Sequence, residues 1–441
     1  MNQANSEIFE KLRQQYDRSP YPRIPLEDNP KTKPISLYHE SLATAFYRRN
    51  KTVISSTQDK LILDVACGSG YTTLSLAEAN PGAKIIGIDI SQASLEMAEA
   101  RLKYHGHDQV KFHLMSLEDV SQLNLKFDYI NAVDILYFLT DLDYAFQKFV
   151  TVLKPNGIIR GDLHSYHQRY FFYRAQEIFQ RLGLMEDNPE EMEAEVVREF
   201  FRELHDGCQL KVMTWNQALQ KENDEQYIMM NYLIQGDKGF TIAQMFDLID
   251  SANLEFISMV NWWQWNLSQL FKDPENLPIS LAFILDGISI KEELTLFELI
   301  QNQSRSLDFW CGYPQPETDL IPISEWTEAD WQQATIYLHP ILHQTDLSET
   351  LSQPNQFSPL ILNNYSPLLT QPINLDRTIA SAIFKPLLQA PQSLITIAEQ
   401  WLQFHPINLG TLEPTTQQEA WEITKQAVIE QESYGTVLIE K

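Results

Sequence analysis

Three cysteines in a chain of 441 residues, Cys67, Cys208 and Cys311, are too few and too widely spaced for a disulfide framework or a zinc cluster. A reducing compartment, the cytoplasm, is the expectation. Long apolar runs are missing too: no stretch approaches the roughly 20 residues that span a bilayer. The opening MNQANSEIFEKLRQQY is polar and contains acids, unlike a signal or transit peptide. Positive charge is scarce. Lys and Arg total 33 against 59 Asp and Glu, a formal net charge of -26, and such a field repels phosphate backbones and anionic lipid surfaces. Neither nucleic acid nor membrane is therefore an expected partner. Short basic clusters such as Arg48-Arg49 with Lys51 read as solvated helix ends.

What is present is ordinary globular composition, 44% hydrophobic and 21% charged, with length enough for two or three domains. Five prolines in SPYPRIPLEDNPKTKP (19–34) predict an extended arm laid over something, because proline donates no amide and restricts its predecessor. From Leu61 onward short apolar strands alternate with amphipathic helices. The strand candidates are LILDVA (61–66), KIIGIDI (84–90), VKFHLM (110–115), DYINAVDIL (128–136) and GIIRGDL (157–163). Helices over 91–104 and 141–153 open at Ser91 and Asp141, both good caps. LEFISMV (254–260), the helix KEELTLFELIQ (291–301) and RSLDFW (305–310) supply the remaining elements. This order predicts an α/β fold, a Rossmann-like, seven-stranded and mainly parallel sheet. The expected division is an N-terminal arm and helices (1–58), a Rossmann-like ligand-binding core (59–165), a helical insertion (166–240) and the remaining sheet elements (241–312). A connection rich in Pro, Gln, Thr and Ser (313–359) and a small C-terminal α+β domain, winged-helix-like (360–441), follow.

The most informative motif is LILDVACGSGYTTLSLA, an apolar strand with an acid near its end, a glycine-rich turn and a helix. Gly68 and Gly70 permit a tight turn and let a ligand lie against bare backbone. Exposed amides at the helix start suit a carboxylate. A nicotinamide or flavin dinucleotide competes for such a turn, but its third glycine would fall at Thr73, and Asp64 opposes a diphosphate while welcoming a cationic aminoacyl group. Asp89, nineteen residues after Gly70, stands where a carboxylate meets the ribose hydroxyls of a nucleoside. The pattern points to S-adenosyl-L-methionine, with Asp64, Ala66, Cys67, Gly68, Gly70, Asp89 and Ile90 as its contacts.

Later strand ends add candidates. Ser116, Leu117 and Glu118 follow the third strand, where a polar side chain and an amide read an adenine edge; a plain polar loop is the competing reading. Asp134 and Tyr137, at the end of the fourth strand, are expected to face the methyl group, with burial in the core as the alternative for Tyr137. His164, Tyr166 and His167 follow the fifth, at the carboxyl edge where open α/β sheets bind ligands. Tyr137, His164 and Tyr166 are the catalytic candidates. His164-x-x-His167 has no nearby third ligand, so capping or helix packing outweighs a metal and none is expected. His105-Gly-His107 reads as a surface turn, and Trp262, Trp263 and Trp265 as core or an interdomain contact rather than a substrate cage. A Ser-His-Asp hydrolase has no supporting elbow, since the turn has Cys67 and Gly68 where a serine flanked by glycines belongs, and Cys67 is a poor alternative nucleophile.

DVACGSG, GIDIS and the alternating order from Leu61 to Leu163 resemble class I methyltransferases. YDRSPYPRIP, LHSYHQRYFFYRA and LFELIQNQSRSLDFW look like members of that class carrying a so-called regulatory domain, a group that includes the rickettsial-type protein lysine methyltransferases. The resemblance implies that Asp64, Gly68, Gly70 and Asp89 hold the cofactor and that Tyr16 and the proline-rich arm close over it. Three departures stand out: Ala66 replaces the first glycine of the turn, Ser116 stands where an acid often meets the adenine amine, and LHSYH lacks the Pro-Gly of the group. The implied reaction is in-line methyl transfer, which needs alignment and a near-attack distance of about 3 to 3.5 Å more than an acid or base. Three readings compete: a protein lysine methyltransferase, a small-molecule O- or N-methyltransferase, and a non-catalytic cofactor-binding interaction protein. The acceptor is thus a protein or a small molecule.

Overall fold

Apolar runs bounded by glycine and polar residues form strands wherever both faces are covered by helices. The computed structural model describes residues 3–18, 20–215, 224–316, 321–353 and 358–441. Two compact units result, one of Met1–Leu26, Leu61–Tyr71 and Ile85–Pro314, the other of Glu27–Lys60, Thr72–Lys84 and Gln315–Lys441.

The large sheet contains β1 (Leu61–Val65), β2 (Lys84–Asp89), β3 (Lys111–Leu114), β4 (Phe127–Ala132), β5 (Leu153–Ser165), β6 (Gly239–Phe240), β7 (Glu255–Met259) and β8 (Ser306–Gly312). Its order is β3-β2-β1-β4-β5-β8-β7, with the two-residue β6 paired to β5. The β2/β3, β1/β4, β4/β5 and β5/β6 pairs are parallel, while β8 runs antiparallel to β5 and β7. This is the mainly parallel, Rossmann-like sheet expected. Chain order moves outward in opposite directions from β1 and β4, so a crevice opens at their carboxyl ends.

Strand ends depart from the sequence reading for local reasons. β4 stops at Ala132, before the expected Leu136, because Asp134 adopts φ 60° and Leu136–Phe138 closes a 3-10 turn. β5 is longer than expected: Leu153 pairs with Phe127 of β4 at its start, β8 pairs with it continuously from Ile158↔Gly312 to His164↔Ser306, and β6 extends the pairing to Ser165. Helices start where side chains cap them, Ser91 accepting from the Ser94 amide, Asp141 from Tyr144 and Ser165 from Gln168. Leu63, Ile88, Ile130, Ile159, Leu163 and Phe309 fill the sheet core, each contributing roughly 1.5–3 kcal/mol by leaving water.

After β5 the chain turns helical over Tyr166–Arg181, Glu191–Glu203, Gln209–Thr214 and Asp224–Asn231, around a cluster containing Phe179, Val197, Phe201 and Tyr232. Residues 216–223 of the expected insertion lie outside the described residues.

In the second unit β9 (Thr335–Leu338) lies between β12 (Gln392–Ser393) and β13 (Val437–Glu440), both antiparallel to it. β10 (Leu360–Ile361) and β11 (Asn374–Leu375) form a separate antiparallel pair. Helices Arg377–Leu387, Leu394–Phe404 and Gln417–Ser433 complete the unit. The stretch 313–359, read from its polar composition as a connection, instead carries β9 and the helices Glu328–Gln333 and Leu347–Ser352. Its sparse apolar residues Trp331, Ile336, Leu342 and Leu347 are all buried, and polar residues fill the outward positions between them. Residues 317–320 and 354–357 of that stretch lie outside the described residues.

Candidate active site

Three residues of the turn after β1 take left-handed backbone conformations: Ala66 at φ 55°, Gly68 at 52° and Gly70 at 81°. Ala66 therefore occupies the position of the missing glycine in the conformation a glycine would favour, at a cost of roughly 1–2 kcal/mol. A Cβ on Gly70 would lie 2.7 Å from Cα of Ala98, so that glycine lets the helix Gln92–Tyr104 approach the turn. Cys67 is buried, and its amide donates to the Ile88 carbonyl at 3.1 Å.

Gly68 has a neighbour that its motif did not announce. A Cβ there would lie 2.3 Å from the carbonyl oxygen of Tyr21, so its bare backbone accommodates the N-terminal arm. The Ser69 amide donates to the same Tyr21 carbonyl at 2.8 Å, and Ser69 Oγ donates to that of Pro22 at 2.8 Å. The buried Arg101 fastens both sides, donating to the carbonyls of Ser69 (3.0 Å), Pro25 (2.8 Å) and Ile24 (2.7 Å). His105, read as part of a surface turn, contacts the Leu26 carbonyl through Nε2 at 2.8 Å. The proline arm is thus stapled to the turn by carbonyls that its prolines leave unpaired.

Carboxylates gather at the sheet's carboxyl edge. Asp64, 1% exposed, accepts from Asn131 Nδ2 at 2.8 Å across the β1/β4 register, and Asn131 Oδ1 is buried without a partner among the described residues. Asp89 accepts from the Gly68 amide at 2.9 Å and the Ser91 amide at 2.8 Å. Burial raises its pKa, and those amides oppose the rise. Asp162 Oδ1 accepts from the Asp134 amide at 2.7 Å; its carboxyl is pushed well upward by burial and then by the Asp134 and Asp308 charges. Tyr16 is partly buried, and its phenol is shifted upward by desolvation and then by Asp134, Tyr21 and Asp89. A cavity of about 240 Å³ adjoins Tyr16 and Tyr21, with Glu190, Glu225, Met229 and Met230 in its wall.

Tyr137 and His164 meet as one cluster. Their rings stack with centroids 3.5 Å apart and 13° between planes, both fully buried, and the Tyr137 hydroxyl donates to Asp134 Oδ1 at 3.1 Å. His164 Nδ1 lies 2.6 Å from Asp237 Oδ1, while its Nε2 is buried with no partner among the described residues. Burial lowers the imidazole pKa to about 4 against the pull of Asp237, so the ring is neutral at pH 7. Tyr166 does not join this cluster: it is 42% exposed and stacks on Tyr173 at 6.3 Å. Ser116 caps the 3-10 helix Leu117–Leu123, accepting from the Glu118 amide at 3.3 Å and donating to Glu118 Oε2 at 3.1 Å. Ile90 is partly buried beside Asp89. Asn131, Asp162, Arg169 and Asp237 were not singled out in the sequence. Asp162 stood at a strand end and was discoverable; Asp237, within a polar QGDKG turn, carried no signal. Among the described residues no His, Cys, Asp and Glu cluster suits a metal, and no helix is long and apolar enough to cross a membrane.

A diphosphate would meet Asp64, Asp89 and Asp134 here, while Arg101, the cation beside the turn, is already committed to three carbonyls. A ligand joining a nucleoside to an ammonium and a sulfonium fits instead: Asp89 suits the ribose, Asp64 and the orphaned Asn131 oxygen suit the ammonium, and the carboxylates favour positive charge. Fold and donor set together define a class I methyltransferase that uses S-adenosylmethionine. Residues 56–231 match the family described as "Methyltransferase domain". An uncharacterized protein of Synechococcus sp. is 27% identical over 322 residues, 71% of this chain and 73% of that one. An uncharacterized protein of Rickettsia prowazekii is 27% identical over 146 residues, which is 32% of this chain but only 25% of its own length. Among solved structures, PKMT2 from Rickettsia typhi, also solved in complex with AdoHcy, is similar with a TM-score of 0.58 at 17% identity, covering 93% of this chain and 76% of that chain.

Proposed function

We propose that the chain methylates an amine on a protein, the side chain of a lysine in a basic segment. The observation that carries the reading is the unpartnered Nε2 of the neutral, buried His164. A lone acceptor at the sheet's carboxyl edge calls for a nucleophile that donates a hydrogen bond, as an amine does and a carboxylate does not. Bound there, the donor supplies an electrophilic methyl group. Asp64, Ala66, Cys67, Gly68, Gly70, Asp89 and Ile90 would hold it, with Ser116, Leu117 and Glu118 at the adenine, Asp134 near the sulfonium and Tyr16 under the arm. Tyr137 forms an apolar wall that favours the neutral amine by desolvation. His164 Nε2 accepts the amine N–H and turns its lone pair toward the reaction axis. Tyr166, on the half-exposed surface, is assigned to the path of the incoming segment.

A net charge of -26 attracts basic segments and supports this choice, as does a fold likeness to a PKMT2 that extends over nearly the whole chain. On the same reading, residues 1–58 serve as arm and helices, 59–165 as donor-binding core, and 166–240 as the insertion that shapes the acceptor path, with sheet completion by 241–312. Residues 313–359 and 360–441 then serve the partner. The test incubates the protein with a methyl-labelled donor and a lysate, then separates proteins from metabolites. Label retained on protein after alkali, and located on lysine by mass spectrometry, is the expected result. Alkali-labile label would mean a methyl ester, and label confined to metabolites would mean a small-molecule acceptor; either defeats the proposal.

A further inference from the structure

The geometry points to a relay, Arg169 to Asp237 to His164, that locks the His164 ring in its Nδ1–H form and so keeps Nε2 as a permanent acceptor toward the nucleophile. The inference rests on the reading of His164 just given, and it adds two positioning residues that no catalytic motif contains.

The relay is built by backbone pairing. β6 runs beside β5 with His164 opposite Gly239, which sets Asp237 two residues ahead of the position facing the histidine. A Cβ on Gly239 would lie 2.8 Å from Cα of Tyr166, so only glycine allows this approach. Asp237, with no exposed side-chain surface, divides its oxygens: Oδ1 faces His164 Nδ1 at 2.6 Å, and Oδ2 accepts from Arg169 Nη2 at 2.7 Å and Gln176 Nε2 at 2.9 Å. Arg169, 1% exposed, is held in turn by Asn231 Oδ1 at 3.0 Å. Burial alone would raise the Asp237 pKa; the His164 hydrogen bond, then the Arg169 charge, outweigh it and lower the pKa to about 2. An ionised carboxylate cannot donate, so the shared proton belongs to Nδ1.

Burial is the main opponent of protonation at this ring. Arg169 and Arg305 lower its basicity, Asp237 raises it, and Tyr137 covers one face. Nε2 therefore orients an N–H without removing the proton. The amine arrives neutral; its lone pair would form the new C–N bond as the methyl–sulfur bond of the bound donor breaks and that electron pair stays on sulfur as a neutral thioether, and the methylated product would leave as an ammonium with its proton in place. A free histidine titrates near 6.5; transfer rates should show no inflection there, only the rise that follows deprotonation of the substrate ammonium.

The test uses the full chain labelled with ¹⁵N and long-range ¹H–¹⁵N correlation of histidine rings at pH 7, with His164→Gln used to assign the resonance. A non-protonated Nε2 and protonated Nδ1, unchanged from pH 8 to pH 5.5, are expected. Asp237→Asn should mix the two tautomers and, by misorienting the nucleophile, slow methyl transfer by roughly 10²-fold, with product-nucleoside binding by calorimetry unchanged. If the buried Arg169 unfolds that variant, Asp237→Asn with Arg169→Gln removes both charges together. An Nε2–H ring or an imidazolium in the wild type, or an unaltered tautomer in the variants, overturns the relay. A correct tautomer with no protein methylation leaves the relay standing and sinks the acceptor assignment instead.

Discussion

Two buried histidines, one in each unit, show how similar surroundings serve different ends. His339 is fully buried, stacks on Tyr38 at 4.4 Å and 25°, and has both ring nitrogens engaged: Nδ1 accepts from the Ile341 amide at 3.3 Å, so Nε2 donates to Thr44 Oγ1 at 3.0 Å. His164 is as deeply buried and stacked on a tyrosine, but holds the opposite tautomer and leaves one nitrogen unmet. Stability asks that every buried polar atom be paired. An atom left unpaired at a sheet's carboxyl edge marks a demand that a ligand is there to meet.

The largest effect should come from His339→Leu. Losing the ring strands the Ile341 amide and removes the donor to Thr44, at about 1–3 kcal/mol for each unsatisfied group. Denaturant unfolding should show a loss of about 3 kcal/mol, and a loss below about 1 kcal/mol would mean that this histidine is not a structural member. Next, His164→Gln should slow methyl transfer by roughly 10²-fold, about 2.7 kcal/mol in the barrier, while its melting transition moves little. Reversed outcomes for the two variants would dissolve the contrast between them.

Acid should act on both histidines in the same direction. Burial depresses their pKa values from 6.5, to about 4 for His164 and about 3 for His339. The unfolded chain therefore binds more protons than the native one below about pH 6.5, and stability falls as pH drops. The decline from His164 ends near pH 4 and that from His339 near pH 3. Asp237, lowered to about 2, adds a further loss below about 3.8. Stability measured at stepped pH should decrease from 6.5 to 4; a flat profile would show that neither ring is held neutral by the fold. The smallest effect concerns strain the site tolerates: Ala66→Gly should relieve the φ of 55° and raise stability by up to about 1 kcal/mol. A lower melting temperature would place the Ala66 methyl in a packing role.

Most of the sheet was legible because its strands are apolar runs ended by polar or glycine turns, and LILDV, KIIGID and SLDFWCG needed no tertiary context to be recognised. The second unit was harder. Trp331, Ile336 and Leu342 are scattered among glutamines and threonines, and β9 acquires its partners β12 and β13 from segments more than fifty residues away. Gly68 was legible as a position of close approach, but its Tyr21 neighbour was not, because which carbonyl reaches a turn depends on the path of a distant arm.

Local chemistry in the sequence determined the βαβ order, the acid at the end of β1, the left-handed turn and the acid at the end of β2, since each follows from spacing within about thirty residues. Tertiary structure alone decided which histidine is finished and which is open. His164 and Asp237 are separated by 73 positions, and no local pattern announces that a two-residue strand will set a carboxylate against one ring nitrogen and leave the other bare. Hydrogen-bond satisfaction is a property of packed surroundings, and it exists only after the chain has closed on itself.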